Sequence, residues 1–393
     1  MEDSSGRSIA IVGAGIGGLT MALSLARRGI SSTVYERAAT LREVGAGLQL
    51  SSNALRVLDR LDLTTALRQH SVEATAVTLR SGRSGRRLAS VPVGSGHDAP
   101  YLSIHRGDLQ KVLLEAVETE PLIRLETGHE LVALKNRSDG IDAEFRSIDG
   151  ERSQANADIL IAADGVNSRV ASHFRLQPAQ FAGAIAWRGR VTGQPARDFN
   201  ARTSGITAWL GAKRHAVVYP IRSGEEVNLV LVEKASSEND AKGRRLPQAF
   251  SHWNPDLKGL IANAADFTPW PLRAAPPSRP WVLADGRVVL IGDAAHAMLP
   301  FAAQGAAMAI EDAYVLSHEI ATHRDLIAAL ASYEGLRRAR VERVVGRARF
   351  HRFVYHLPPP LSLGRDVVMA VTPPARLRAS LSWLYDWEPP NFP

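Results

Sequence analysis

The apolar residues of the chain follow two different periodicities. Near the amino terminus, an apolar run from Ser8 to Val12 ends in glycines and is followed by a helical apolar pattern up to Gly29. The same order recurs late in the chain, where RVVLI (287–291) leads into Gly292-Asp293 and a helical pattern begins at Gly305. A strand that turns through glycine into a helix is typical of α/β folds with a parallel sheet.

The middle of the chain alternates between apolar and polar positions. This period of two predicts strands with one buried face, arranged as an antiparallel sheet between the two glycine turns. The segments are AIAWRGRVTG (184–193), GITAWLG (205–211), HAVVYPI (215–221) and EVNLVLVEK (226–234). His215 and Tyr219 are four residues apart, so both side chains are expected on one face of a strand.

The first glycine turn has a nucleotide-binding pattern. Gly13 permits a tight turn, Gly15 lets the backbone approach a pyrophosphate, and Gly18 lets the helix pack closely on the sheet. Glu36, eighteen residues beyond Gly18, ends the next predicted strand, where a carboxylate can accept hydrogen bonds from an adenosine ribose. Because an acid there disfavours a 2′-phosphate, we expect FAD or NAD at this turn rather than NADP.

Three further segments are more specific. They are the RGDL segment that begins at Arg106, ADILIAADGVNSRV (157–170) and the Gly292-Asp293 pair. Together with the first turn they resemble the fingerprints of FAD-dependent aromatic monooxygenases of the para-hydroxybenzoate hydroxylase type. The resemblance extends from about Ser8 to about Tyr333. Within that family the chain looks most similar to salicylate, 3-hydroxybenzoate and 6-hydroxynicotinate hydroxylases.

The resemblance implies an α/β fold in which a Rossmann-like FAD-binding domain carries an inserted antiparallel β-sheet substrate domain and C-terminal helices. We expect the FAD-binding domain to comprise residues 1–75, 101–180 and 276–325. The substrate domain is expected at residues 76–100 and 181–275, and the C-terminal helical region at residues 326–393.

The resemblance also implies a reaction. Enzymes of this family use NADH or NADPH as a transient electron donor to FAD, here non-covalently bound. They use O2 to hydroxylate a small activated aromatic compound through a flavin C4a-hydroperoxide. Two enzymatic alternatives stay open, a flavoprotein of the same fold that does not insert oxygen and a hydroxylase of a larger ring. A basic binding protein without catalysis is a third.

Several residues are cofactor contacts by resemblance. Asp293 would accept a hydrogen bond from a ribityl hydroxyl, Arg106 would lie over the pyrophosphate or ribityl chain, and Asp164 would serve FAD and the nicotinamide donor. Each has a simpler alternative: a helix N-cap for Asp293, an exposed arginine for Arg106 and an ordinary turn for Asp164. The remaining cofactor candidates are Arg37, Arg42 and Gly47.

The resemblance places the reaction at the second glycine turn. Unpaired amides at Gly305 and Ala306 would stabilise the negative charge of a reduced flavin, because a helix N-terminus favours anions. Pro300 matches the family's proline that contacts the reactive face of the flavin. Gln304 would flank the ring and bind substrate, or it could merely order its own loop.

The predicted sheet supplies the other candidates. The residue types of His215 and Tyr219 suit binding and deprotonating a phenol. The alternative is a packed pair without a catalytic role, but similar hydroxylases have a like pair before a proline in this strand. Gln49 is a further substrate-binding candidate, with turn packing as the alternative. Arg42, just upstream, could contact the FAD phosphates or the nicotinamide donor, or lie on the surface.

Composition narrows the class of protein. The 393-residue chain has no cysteine, which excludes disulfides and thiolate catalysis and is compatible with a reducing cytoplasm. We expect a cytoplasmic monomer or homodimer with no transmembrane segment, metal site or nucleic-acid partner. The net charge of +7 includes an arginine-rich segment, LRRARVERVVGRARFHRF (336–353), expected to form a solvated helix face or to attract anions.

Overall fold

A mostly parallel sheet, with the antiparallel edge strand Val282–Leu283, carries the first glycine turn. The computed structural model describes residues 7–41, 47–94, 100–203, 205–242, 248–265 and 267–391. Ile9–Val12, buried along its whole length, pairs in parallel with Ile159–Ala162 on one side and Ser32–Glu36 on the other. Within the described residues the strand order is Val282–Leu283, Val288–Leu290, Ile159–Ala162, Ile9–Val12, Ser32–Glu36 and Ile123–Thr127. Such buried apolar strands need helices on both faces.

A second sheet contains the alternating segments from the middle of the chain. Its strands lie in the order Thr268–Ala274, Gln180–Thr192, Glu226–Lys234, Arg214–Ile221, Gly205–Gly211, Ala76–Ser81 and Arg87–Pro92. Most neighbours are antiparallel, but Gly205–Gly211 and Ala76–Ser81 run parallel. The sheet is therefore mixed rather than purely antiparallel, because the long connection between these two strands can return the chain to the same end of the sheet.

Two small sheets and a set of helices complete the described fold. The small sheets contain Arg152–Ala157, Ile141–Ser147 and His129–Asn136, and Gly47–Leu50, Leu102–His105 and Ser71–Glu73. The α-helices are Ile16–Ala26, Ser52–Arg60, Thr64–Gln69, Arg106–Glu118, Arg169–His173, Gln194–Ala201, Pro255–Ala262, Asp293–His296, Gly305–Thr322, Leu326–Tyr355, Leu361–Val371, Pro374–Ala379 and Ser382–Tyr385. Within the described ranges, no helix combines the length and apolar composition needed to cross a bilayer.

The arginine-rich helix, Leu326–Tyr355, is only partly solvated. Arg337 is 1 % exposed, and its guanidinium donates to Glu311 Oε2 at 2.6 Å and to Asp312 Oδ1 at 2.8 Å. Arg340 also donates to Glu311. The expectation of a solvated arginine face is therefore wrong for Arg337, because two acids on the preceding helix compensate its buried charge. The predicted fold class, a Rossmann-like domain with an inserted sheet and C-terminal helices, is confirmed.

Candidate active site

A cavity of about 400 Å³ lies between the two glycine turns and the second sheet. The turns contribute backbone and small side chains, whereas the sheet contributes one face of its central strands. Residues from the end of the chain close it. Its lining includes Gly15, Gly47, Gln49, Tyr101, Arg106, Gly165, Arg188, His215, Val217, Tyr219, Val230, Asp293, Pro300, Gly305, Ala306, His351, Tyr355 and Tyr385.

The glycines of the first turn differ in what surrounds them: two are packed against the backbone, and one borders open space. Gly13 has φ +104°, and a Cβ there would lie 2.7 Å from the carbonyl oxygen of Ala163. At Gly18 an added Cβ would collide with the backbone of Gly13. At Gly15, by contrast, a Cβ would meet no protein atom within 4 Å, yet this residue lines the cavity. Gly15 therefore leaves room for a pyrophosphate, as the sequence predicts.

Glu36 ties this turn to the end of the adjacent strand. Its Oε2 accepts a hydrogen bond from the amide of Ala14 at 2.9 Å, and its Oε1 accepts from the amide of Ala38 at 2.9 Å. Each carboxylate oxygen can accept more than one hydrogen bond. The side chain thus holds the turn in place and keeps acceptor capacity for a ribose.

Asp293 and Arg106 both line the cavity, and each is the first residue of a helix. Asp293 is the first residue of its short helix, whose N-cap is Gly292 without a side-chain cap bond. The N-cap alternative for Asp293 is therefore not the arrangement observed. Arg106 is the first residue of Arg106–Glu118 and is exposed, as its alternative supposed, but it also lines the cavity. Among the described residues, neither side chain has a hydrogen-bonding partner.

The two residues of the Asp164-Gly165 pair have different surroundings. Asp164 Oδ2 accepts from the amides of Arg169 at 2.7 Å and Val170 at 3.2 Å, whereas Oδ1 is buried without a described partner. Burial raises the pKa of Asp164, and the hydrogen bonds that it accepts oppose that shift. Gly165 lines the cavity, and a Cβ there would meet no atom within 4 Å. The turn therefore faces the cavity through Gly165, while the Asp164 carboxylate binds the backbone amides of the residues that follow.

The second glycine turn presents backbone amides to the cavity. Pro300 begins a 3₁₀ turn that ends at Ala303, with φ +52°, and the helix Gly305–Thr322 follows. Pro300, Gly305 and Ala306 line the cavity. A Cβ at Gly305 would contact nothing within 4 Å, which again leaves room for a ligand against the helix N-terminus.

Gln304 is engaged elsewhere. It is 1 % exposed and is not among the residues that line the cavity. Its Nε2 donates to Ser51 Oγ at 2.9 Å, and its Oε1 accepts from Asn53 Nδ2 at 3.1 Å. The amide of Gln304 therefore joins its loop to the start of the helix Ser52–Arg60, which matches the alternative role of ordering the loop, and its substrate contact stays a prediction.

Asp312, which is fully buried, holds the turn at Gly292 in place. Its Oδ2 accepts from the Gly292 amide at 3.0 Å and from His296 Nε2 at 2.5 Å. Although burial alone raises the pKa of Asp312, the charges of His296 and Arg337 hold it well below its ordinary value. The buried carboxylate thus stays ionised and fixes the backbone that precedes Asp293.

His215 and Tyr219 lie on the cavity face of the second sheet. Both are buried, at 4 % and 3 % exposure, and Val217 between them lines the cavity as well. Burial, together with neighbouring His356, lowers the pKa of His215 well below its ordinary value. Burial raises the pKa of Tyr219 far above its usual range, opposed by the charge of Arg188. At neutral pH the pair is therefore a neutral imidazole and a protonated phenol.

Gln49 and Gly47 enter the cavity from the short strand Gly47–Leu50. Gln49 Oε1 accepts a hydrogen bond from the hydroxyl of Tyr101 at 2.9 Å. The Gly47 amide donates to Asn228 Oδ1 at 2.9 Å, and a Cβ on Gly47 would lie 2.7 Å from the Tyr219 ring. The absence of a side chain at Gly47 therefore leaves the space that the Tyr219 ring occupies. Gln49 keeps an amide group at the cavity wall.

Sequence reasoning missed several lining residues. The alternating pattern of AIAWRGRVTG assigns Arg188 only to a strand, and its charge within an apolar segment is the signal that could have identified it. His351 and Tyr355, stacked with ring centroids 5.5 Å apart, are one helical turn apart in the arginine-rich helix. Tyr385 comes from the chain end, and its ring meets Tyr101 edge-on at 5.8 Å.

Two predicted cofactor residues lie outside this cavity or outside the described structure. Arg42 lies outside the described residues. Arg37 is exposed and is not among the lining residues. In the described part of the chain, no group of three or more His, Asp or Glu side chains could hold a metal ion.

Known proteins are similar to this chain over most of its length. A family model described as an FAD binding domain matches residues 7–348. The 3-hydroxybenzoate 6-hydroxylase 1 of Aquipseudomonas alcaligenes is 34 % identical over 394 residues, which cover 97 % of this chain and 98 % of that protein. The 3-amino-4-hydroxybenzoate 2-monooxygenase of Streptomyces cremeus is 36 % identical over 385 residues, which cover 96 % and 94 %.

A solved structure is also similar to this chain over most of its length. HpxO of Klebsiella pneumoniae, complexed with FAD and uric acid, superposes with a TM-score of 0.81 at 25 % identity, covering 96 % of each chain. Two glycine turns that leave room for a ligand face a sheet with a neutral imidazole and a phenol. From this geometry and these similarities, the chain belongs to the family of FAD-dependent aromatic monooxygenases that the sequence predicted.

Proposed function

We propose that this enzyme uses NADH or NADPH and O2 to hydroxylate a small phenolic aromatic acid of the hydroxybenzoate, salicylate or hydroxynicotinate class. The observation that carries the proposal is the position of His215 and Tyr219, which line the same cavity as Pro300 and the Gly305 turn. The relatives named for hydroxybenzoate and aminohydroxybenzoate substrates support the substrate class.

The residues that hold FAD follow from the space around the turns. Gly15 and Gly165 leave room for its diphosphate and ribityl portions, Asp293 offers an acceptor, and the amides of Gly305 and Ala306 offer donors. When bound, FAD accepts a hydride from the nicotinamide donor and supplies an activated oxygen atom from O2. The helix N-terminus at Gly305 favours negative charge on the reduced ring system.

His215 would accept the phenolic proton of the substrate. Because burial depresses its pKa, the imidazole is neutral at pH 7, and in the tautomer whose Nδ1 donates to His356 its Nε2 has a free lone pair. Tyr219, which keeps its proton, can donate a hydrogen bond to the resulting phenolate. Loss of the proton enriches the ring in electrons, which an electrophilic oxygen requires.

The apolar walls would exclude water from the reacting atoms. Val217 and Val230 line the sheet side, and Met298 lies near the second turn. Exclusion of water strengthens the hydrogen bonds made by His215 and Tyr219. It also protects the activated oxygen from side reactions with water. The chain has no cysteine, which is compatible with the cytoplasmic location that we also propose.

Anaerobic stopped-flow absorbance tests the proposal. The FAD-loaded protein is mixed with NADH or NADPH and a panel of hydroxylated and amino-substituted aromatic acids, and the rate of flavin bleaching is followed. One acid should accelerate reduction strongly, and oxygenation should then give a hydroxylated product by mass spectrometry. Equal reduction with every acid and no oxygenated product would instead favour a flavoprotein that does not insert oxygen.

A further inference from the structure

Arg188 places a cationic group inside the cavity. It belongs to the strand Gln180–Thr192, whose odd-numbered residues Ile185 and Trp187 pack in the core behind the sheet. The even-numbered Ala184 and Ala186 pack instead on the cavity side, against Phe301 and its neighbours. Because side chains alternate along a strand, Arg188 points to the cavity, and it is one of the lining residues.

The charge of Arg188 has no carboxylate partner among the described residues. Its guanidinium carbon lies 4.9 Å from the centroid of the Trp270 ring, and no hydrogen bond or ion pair accompanies that contact. Burial lowers the pKa of Arg188; Tyr219 and Asp293 oppose this shift, whereas the charge of Arg106 adds to it. Arg188 is half-buried, and a partly desolvated guanidinium without an ion-pair partner among the described residues favours an anionic ligand in the cavity.

Arg190, two residues further along the same face, shows the contrasting arrangement. It is exposed, and its guanidinium donates to Glu226 Oε2 at 3.0 Å. The sequence WRGR therefore holds one arginine that is neutralised at the surface and one that is left for a ligand.

Sheet geometry relates Arg188 to the predicted proton acceptor. Arg188 pairs with Val230, and Val230 pairs with Val217, which lies between His215 and Tyr219 on their strand. Two strand spacings separate the backbones of Arg188 and Val217 by about 10 Å. This spacing leaves room for one aromatic ring that has anionic and phenolic substituents at different positions. The guanidinium lies over Trp270, on the neighbouring strand Thr268–Ala274, and would turn from that ring to meet the anionic substituent.

We propose that Arg188 binds the ring carboxylate of the substrate and thereby positions its phenolic hydroxyl at His215 and Tyr219. A guanidinium matches a carboxylate with two parallel hydrogen bonds, which fixes the orientation of the ring as well as holding it. This assignment rests on the proposed function and narrows its substrate class to aromatic carboxylates. A phosphate of FAD or of the nicotinamide donor has related anionic chemistry, so the experiment has to separate these sources.

Binding to the FAD-loaded enzyme tests the assignment. The ligands are 2-, 3- and 4-hydroxybenzoate and the three matching hydroxybenzamides, and perturbation of the flavin absorbance gives each Kd. The variants are Arg188→Gln, Arg188→Lys and, as the matched control, Arg190→Gln. For the preferred isomer, Arg188→Gln should weaken binding of the acid about 10- to 100-fold and leave the amide unchanged. Arg188→Lys should recover part of the loss, and Arg190→Gln should bind like the wild type.

Other outcomes overturn the assignment in distinguishable ways. Equal weakening of acid and amide would mean that Arg188 only shapes the cavity, and wild-type enzyme that prefers no acid over its amide would remove the carboxylate site. If Arg188→Gln instead weakens FAD, or raises the KM for the nicotinamide donor alone, its anion is a phosphate. The proposed function fails separately, if the wild type hydroxylates none of the hydroxylated and amino-substituted aromatic acids of the stopped-flow panel.

Discussion

His215 Nδ1 lies 2.9 Å from His356 Nε2, so a hydrogen bond joins the cavity face of the second sheet to the end of the arginine-rich helix. His356 is the C-cap of Leu326–Tyr355 and is only half-buried. Burial lowers the pKa of His356 to about 4, with the charges of Arg352 and Arg214 adding to the effect. Two neutral imidazoles therefore share one hydrogen bond, which fixes the orientation of the His215 ring.

Substitution of the cavity pair should separate chemistry from cofactor binding. His215→Ala and Tyr219→Phe should each slow hydroxylation by about 10²-fold or more while retaining FAD, because proton transfer by a positioned side chain has effects of this size. Turnover with the preferred substrate and the flavin absorbance of the purified variants provide the two readouts. Unchanged turnover in both variants would remove the pair from the mechanism.

Substitution of His356 should disturb the orientation of the His215 ring while His215 itself stays in the cavity. His356→Leu leaves a buried imidazole nitrogen of His215 without its partner and should lower kcat about 10-fold while FAD is retained. Because the neighbouring His356 depresses the pKa of His215, the acidic limb of the pH profile should move to higher pH in this variant. A matched change at His323, a histidine outside the cavity lining, should have neither effect.

Gly15→Ala should weaken FAD binding without unfolding the protein. An added Cβ meets no protein atom but projects where the pyrophosphate is expected, so a loss of about 10-fold or more in FAD affinity should accompany a normal circular dichroism spectrum. Gly346→Ala, also without a protein atom near its added Cβ, is the control and should bind FAD normally. Full FAD affinity in Gly15→Ala would contradict the proposed placement of the cofactor.

Arg337→Met should be the most destabilising change in the arginine-rich helix. It leaves the buried carboxylates of Glu311 and Asp312 with less compensation, which typically costs about 3–5 kcal/mol in the free energy of unfolding. Arg349→Met on the exposed side of the helix should change stability by less than about 0.5 kcal/mol. Urea denaturation of both variants measures the difference, and equal effects would show that the buried cluster adds no stability.

Acid should destabilise the protein in two stages. The lowered pKa of His215 means that the unfolded chain binds this proton more readily, so stability should fall by up to about 1.4 kcal/mol per pH unit once the pH drops below about 6.5. Asp312, whose pKa is also depressed, should add a further loss below about pH 4. Urea titrations between pH 7 and about pH 2 test both stages. His215→Asn should reduce the slope of the first stage, to which His356 also contributes.

Local pattern was sufficient for the elements that a ligand-binding turn requires. Gly13, Gly15 and Gly18 have distinct tasks set by backbone sterics, so their spacing alone predicted the turn. The even spacing of His215 and Tyr219 predicted a shared face because side chains alternate along any strand. The parallel pairing of Gly205–Gly211 with Ala76–Ser81 was not predictable in this way, since it joins segments far apart in sequence.

The sequence by itself determined the nucleotide-binding turns, the alternating region in the middle of the chain and the family, because these depend on short-range spacing and local periodicity. Only the tertiary structure decided which polar side chains face the cavity. It engaged Gln304 with Ser51 and Asn53, left Arg188 without a carboxylate partner among the described residues, and paired Arg337 with Glu311 and Asp312. Partners of this kind lie on distant segments, and the energy of a buried charge depends on which groups the completed fold brings beside it.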